Sequence, residues 1–69
     1  MRIETLTRMS GQIAANCAGL TDDQAIARIS EHLRAFWTPA MLDQLHEYDV
    51  AHPGDLDPRV STAIDLIGV

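Results

Sequence analysis

Three histidines, one cysteine and ten carboxylates are the side chains of this 69-residue chain that could carry metal, nucleophilic or acid–base chemistry. Their spacing decides the reading. Structural zinc sites draw their ligands from local pairs such as CxxC or HxxxH. No two of Cys17, His32, His46 and His52 stand at such an interval, which leaves three partly exposed imidazoles and a buried thiol. A nucleophilic cysteine needs its pKa lowered by a cation or a helix N-terminus. Cys17 falls instead toward the C-terminal end of the first predicted helix, where the dipole opposes a thiolate. Asp22-Asp23 and the Asp55/Asp57 pair read as capping and turn residues, because the ligand series of an EF-hand is absent. There is no glycine-rich phosphate loop, cysteine cluster or Ser/His/Asp set either. The expectation is therefore no catalytic, cofactor-binding or metal-binding residue in this chain.

Composition narrows the partners. Ten Asp and Glu against five Arg, with no Lys, give a net charge of −5. That sign repels phosphate backbones and anionic head groups, so nucleic-acid and membrane-surface binding are not expected. The arginines, Arg2, Arg8, Arg28, Arg34 and Arg59, are spread out rather than clustered. A lone Cys17 cannot form an intramolecular disulfide, which points to a reducing compartment. Met1-Arg2-Ile3-Glu4 begin no apolar run of signal-peptide length and no window reaches a membrane span, so the expected location is cytoplasmic. At this length the chain is one domain, residues 1–69, with a modest core that a partner surface would help to complete.

The elements follow from apolar spacing. Ile3, Leu6, Met9, Ile13, Cys17 and Leu20 recur in steps of three and four, which predicts a helix over 3–18. Ser10-Gly11 within it reads as a point of close backbone packing, and Gly19 as the left-handed residue that ends it. Thr21 and Gln24 stand at capping-box spacing with Asp22 and Asp23 in the first turn, predicting a second helix over 22–37. Its apolar stripe is Ile26, Ile29, Leu33 and Phe36. Thr38-Pro39 stops that helix and starts the next, since proline biases the residue before it away from the helical region and suits the first helical position. A third helix is predicted over 39–47, a surface loop over 48–57, and a fourth helix over 58–67 opened by Asp57-Pro58. No segment alternates like a strand. The fold class is all-α, a small bundle of three to four short helices.

The joint between the second and third helices concentrates the aromatic volume, because Phe36 and Trp37 are the only Phe and Trp of the chain. Phe36 continues the stripe of Ile29 and Leu33 and is expected to face inward. Trp37, rotated about 100° from it in a helix, has two readings, the largest core residue of a chain poor in aromatics or an interface anchor, and the second is the one carried into the interface below. Arg34, Trp37, Pro39 and Met41 are thus the expected partner interface, Trp and Arg being enriched among residues that dominate binding energy.

Three blocks, Arg8-Met9-Ser10-Gly11-Gln12-Ile13-Ala14, His32-Leu33-Arg34-Ala35-Phe36-Trp37-Thr38-Pro39-Ala40-Met41 and Leu56-Asp57-Pro58-Arg59-Val60, resemble the delta subunit of bacterial NAD-dependent formate dehydrogenases. The resemblance spans nearly the whole chain, and the Phe-Trp-x-Pro-x-Met string is its most specific part. It implies an accessory subunit without a redox cofactor, in a cytoplasmic enzyme dependent on molybdenum or tungsten. In such an enzyme the alpha subunit carries the pterin-bound metal and iron–sulfur clusters, and the beta and gamma subunits carry flavin, further clusters and the NAD site. The implied partners are these larger subunits, the alpha subunit first among them, and the implied task is assembly or stability of the complex. The residues alone support less, namely a small acidic helical partner of a larger protein. On that ground a free-standing interaction module, such as an antitoxin or regulator, is the alternative. A small enzyme or redox carrier acting alone is disfavoured by the missing motifs.

Overall fold

Three of the four helices begin on a side chain that caps them. The computed structural model describes residues 2–68 and contains α1 (Ile3–Ala15), α2 (Asp22–Phe36), α3 (Pro39–Ala51) and α4 (Pro58–Ile67), with no strand among the described residues. The chain is all-α. Thr21 Oγ1 accepts from Gln24 N–H at 3.2 Å while Gln24 Oε1 accepts from Thr21 N–H at 3.1 Å, completing the capping box of α2. Thr38 Oγ1 accepts from Met41 N–H at 3.3 Å, and Pro39 occupies the first turn of α3. Asp57 does the same for α4, accepting from Arg59 N–H at 2.9 Å with Pro58 behind it. Gly68 closes α4 at φ 82°, its N–H reaching Ile64 C=O.

The buried line of each helix gives the packing. In α2 it is Ala25, Ile29 and Leu33, and the same step of four brings in Trp37 just beyond the helix. In α1 it is Leu6, Ser10 and Ala14, followed by Cys17. Leu6 and Cys17 belong to the predicted stripe, and its other members, Ile3, Met9, Ile13 and Leu20, flank that line half-buried. Small side chains at Ser10 and Ala14 let α1 come close to its neighbours. Leu42 and Leu45 of α3, Leu56, and Val60, Ala63 and Ile64 of α4 complete the core. Burying each Leu or Ile contributes roughly 1.5–3 kcal/mol. α2 packs chiefly against α4, and α1 touches all three other helices. The successive helices α2 and α3 meet least, so they open away from their joint and the other two fill the angle. No helix among the described residues is long and apolar enough to cross a membrane.

Three local expectations are corrected. α1 ends at Ala15 instead of 18, because Asn16 N–H is shared between Gln12 and Ile13 and Cys17 N–H reaches only Ala14, a tightening turn that leaves helical geometry before Gly19. α3 runs on to Ala51 through residues expected to be loop. Asp49 is held there by Ser61, whose Oγ donates to Oδ1 at 2.6 Å, and the Tyr48 hydroxyl donates to the Asp55 carboxylate. Only His52 onward leaves the helix, with His52 N–H capping Tyr48 C=O at 2.9 Å. Gly11 is the third correction. Ser10 is buried, its Oγ donating to Thr7 C=O at 2.9 Å, but Gly11 is exposed and a Cβ there would meet nothing within 4 Å.

An ion pair ties α4 to α1. Asp57 accepts from Arg59 Nε at 3.0 Å and Nη2 at 2.9 Å, and Nη2 also donates to Ala14 C=O at 3.3 Å. The hydrogen bond from the Arg59 side chain is the main reason that the Asp57 pKa is lowered, against the opposing effect of burial.

Two outcomes follow from these placements. Gly11→Ala adds helix propensity at an open site and raises stability by about 0.5–1 kcal/mol, read as a higher urea midpoint at unchanged slope. Asp57 has a folded-state pKa below its unfolded value, so its stabilisation is complete above the ordinary carboxylate range and is lost as pH falls through the folded value. Urea midpoints followed from neutrality to below about pH 4 are expected to fall, and Asp57→Asn removes part of that acid dependence.

Candidate partner interface

The joint of α2 and α3 is built by one backbone constraint. Pro39 holds Thr38 extended, at φ −75° and ψ 159°, and Trp37 before it is extended too, at φ −98° and ψ 141°. Trp37 N–H still bonds to Leu33 C=O at 2.9 Å, so the helix closes its last turn and then straightens. The side chain of Trp37 continues the buried line of Ala25, Ile29 and Leu33. It folds back under the joint and is only 6% exposed, whereas Phe36, the last helical residue, is 72% exposed. Phe36 is not the inward ring it was expected to be, and of the two readings of Trp37 the core one holds: the buried line advances in steps of four, Ala25, Ile29, Leu33 and Trp37, and leaves Phe36, three residues after Leu33, outside it.

The other expected interface residues lie as follows. Arg34 and Pro39 are exposed and Met41 is half-buried against the core. Arg34 sits in the last turn of α2, where a cation complements the helix dipole. Trp37 supports the joint from beneath instead of lying on its surface.

Around Phe36 the outer face of α2 is open to solvent. Arg28, Glu31, His32, Ala35 and Phe36 line an open depression of about 360 Å³. The His32 and Phe36 rings, four residues apart on one helix face, have centroids 4.8 Å apart at a tilt of 45°. Neither Arg28 nor Glu31 takes part in an ion pair among the described residues, where the pairs are Arg2–Glu4 and Arg59–Asp57. Arg28, His32 and Ala35 are exposed, and none of the three is among the residues expected at the partner interface.

The remaining chemically capable groups stay apart. Among the described residues no three His, Cys, Asp or Glu side chains come together as a metal site. Cys17 is fully buried and its Sγ donates to Ile13 C=O at 3.4 Å. His46 is half-buried on α3, and His52 stacks on Tyr48 with centroids 4.4 Å apart. The Tyr48 pKa is raised, chiefly by its hydrogen bond to Asp55, so the hydroxyl holds its proton. A second open depression of about 290 Å³ lies between Ile3 and the Gln44, Glu47 and Tyr48 side of α3.

Comparison with known proteins gives one match. Residues 5–64 fit the family model described as NADH-dependent formate dehydrogenase delta subunit FdsD. Neither the curated proteins nor the solved structures gave a match.

The two rings of the joint separate cleanly by mutation. Trp37→Ala empties the core beneath the joint and costs about 3–5 kcal/mol, visible as loss of helical circular dichroism or a sharp fall in the melting temperature. Phe36→Ala removes a side chain already in water and stays within about 0.5 kcal/mol of the parent chain.

Proposed function

Because this chain belongs to the NADH-dependent formate dehydrogenase delta subunit family, we propose that it is a non-catalytic accessory subunit that docks on the alpha subunit and supports assembly or stability of the complex. The family match over residues 5–64 is the observation that carries this reading. Membership makes the other subunits of the enzyme its partners. The alpha subunit is the preferred one, since it is the chain that the sequence resemblance associates with the pterin-bound molybdenum or tungsten. The delta chain itself brings no cofactor and works in the cytoplasm.

Several features fit an accessory role. Two open, shallow depressions lie on the surface of the described residues, one on the outer face of α2 and one between Ile3 and α3. The core is small, and a single aromatic ring, Phe36, stays in water beside it. Docking through the joint of α2 and α3 places Arg34, Pro39 and Met41 at the contact, with Trp37 as the buried support that fixes their directions. What such a chain supplies is a preformed surface. A helix pair held at a rigid joint loses little conformational entropy on binding, so more of the contact energy is left for the complex.

The direct test is affinity purification of the tagged chain from its native cytoplasm, with the eluate assayed for formate-dependent NAD reduction and for molybdenum or tungsten. Activity and metal are expected to elute with the chain. A colourless eluate without activity, holding a toxin or regulator instead, would point to the free-standing module.

A further inference from the structure

Most carboxylates of this chain have a local structural use. Glu4 lies in the first turn of α1 and Asp22 and Asp23 in that of α2, where the helix dipole favours them, and Asp57 caps α4 and pairs with Arg59. Asp49 accepts from Ser61, Asp55 accepts from Tyr48, and Glu31 precedes Arg34 by a spacing that helps a helix. Asp65 stands singly near the end of α4. Asp43 and Glu47 of α3 are different. Both are exposed, neither is in the first turn of the helix or in an ion pair among the described residues, and the last turn of α3 holds no cation to offset them. Four residues apart on one face, they repel each other and weaken the helix that carries them.

The charge of the whole chain is gathered on the same side. Residues 39–57 contain Asp43, Glu47, Asp49, Asp55 and Asp57 and no Arg or Lys, which is −5. Outside that stretch five Arg balance Glu4, Asp22, Asp23, Glu31 and Asp65, so the remainder sums to zero. With the Asp57–Arg59 pair set aside, α3 and the loop after it still carry −4 against −1 elsewhere. The exposed face of α3 is also partly apolar. Ala40, Gln44, Glu47 and Ala51 lie opposite the buried Leu42 and Leu45, with Asp43 and Val50 along one edge, and Val50 is 65% exposed.

Charge selects what covers that face. Two copies apposed through it would set carboxylate against carboxylate, and phosphate groups are repelled in the same way. A protein surface that presents Lys or Arg beside apolar ground meets both parts of the face with attraction.

We propose that the outer face of α3, from Ala40 to Ala51, is the docking surface of this chain, set against a basic surface of the larger enzyme chain with Asp43 and Glu47 facing Lys or Arg side chains and Val50 covering apolar ground beside them. The proposal rests on the subunit reading above and adds to it the face and the chemistry of the partner. It supplies Asp43 and Glu47 with the counter-charges that their own chain lacks.

The test measures binding of the purified, tagged delta chain to the formate dehydrogenase complex prepared without it, at low and at high salt, for the parent chain and for Asp43→Lys, Glu47→Lys and Glu31→Lys. Each substitution changes the net charge by the same amount at an exposed position, Glu31 lying on α2. Asp43→Lys and Glu47→Lys replace the repelling pair of α3 with an attracting one, so melting temperatures at or above that of the parent are expected and lost binding is not lost folding. Each is expected to weaken binding about five- to tenfold at low salt, chiefly through slower association, and to flatten its salt dependence, while Glu31→Lys binds as the parent does. Parent-like or tighter binding of the two α3 variants, with the parent itself binding, overturns the docking face alone. Equal weakening by Glu31→Lys would report net charge in place of a face and overturn it too. Failure of the parent chain to bind overturns the subunit reading and the docking face with it.

Discussion

The loss of helical freedom at the residue before Pro39 is the constraint on which the architecture depends. A proline ring forces Thr38 into an extended conformation, and Trp37 is extended as well, so α2 ends at Phe36 whatever its side-chain pattern favours. Two consequences come from that one event. Trp37, freed from the helix, turns back and becomes the largest buried side chain beneath the joint, and Phe36, still helical, is left in water at the end of α2. The new helix opens at Pro39 in a different direction, so α2 and α3 diverge and leave an angle for α1 and α4 to fill.

The angle is filled by small residues and held by one polar clasp. Ser10 and Ala14 put little volume on the buried line of α1, which lets that helix lie close to the others, and α4 lies along α2 with Val60, Ala63 and Ile64. Arg59 joins the two ends of this packing. Its guanidinium is oriented by Asp57, which also caps α4, and it satisfies the Ala14 carbonyl in the last turn of α1. One carboxylate thus serves helix initiation and the α1–α4 contact together. The two depend on each other: without the cap geometry the arginine is not aimed, and without the arginine the carboxylate is partly desolvated with no compensation.

How much of this was legible in the sequence varies by physical kind. Helix starts were readable because capping is local: Thr21/Gln24, Thr38-Pro39 and Asp57-Pro58 act within four residues of themselves, and each appears as its spacing predicts. Helix ends were less readable. α3 continues to Ala51 because Ser61, twelve residues on, holds Asp49, and no local pattern encodes a bond to another helix. The family was legible in short strings of residues. The burial of the two rings was not: Ile26, Ile29, Leu33, Phe36 and Ala25, Ile29, Leu33, Trp37 both fit helical spacing, and only packing against α4 and its neighbours chooses the second line.

The same separation of roles explains how so short a chain can both fold and present a surface. With few large side chains available, every buried one matters to stability, and a surface ring taken from the core would weaken the fold that displays it. Adjacent residues on the two sides of a helix end resolve the conflict. The indole of Trp37 is committed to the interior and the ring of Phe36 to the exterior by backbone geometry, so a substitution on one side need not disturb the other. Charge is divided in the same way. The clasp on α4 consumes Arg59 internally, while Arg28 and Arg34 form no ion pair among the described residues.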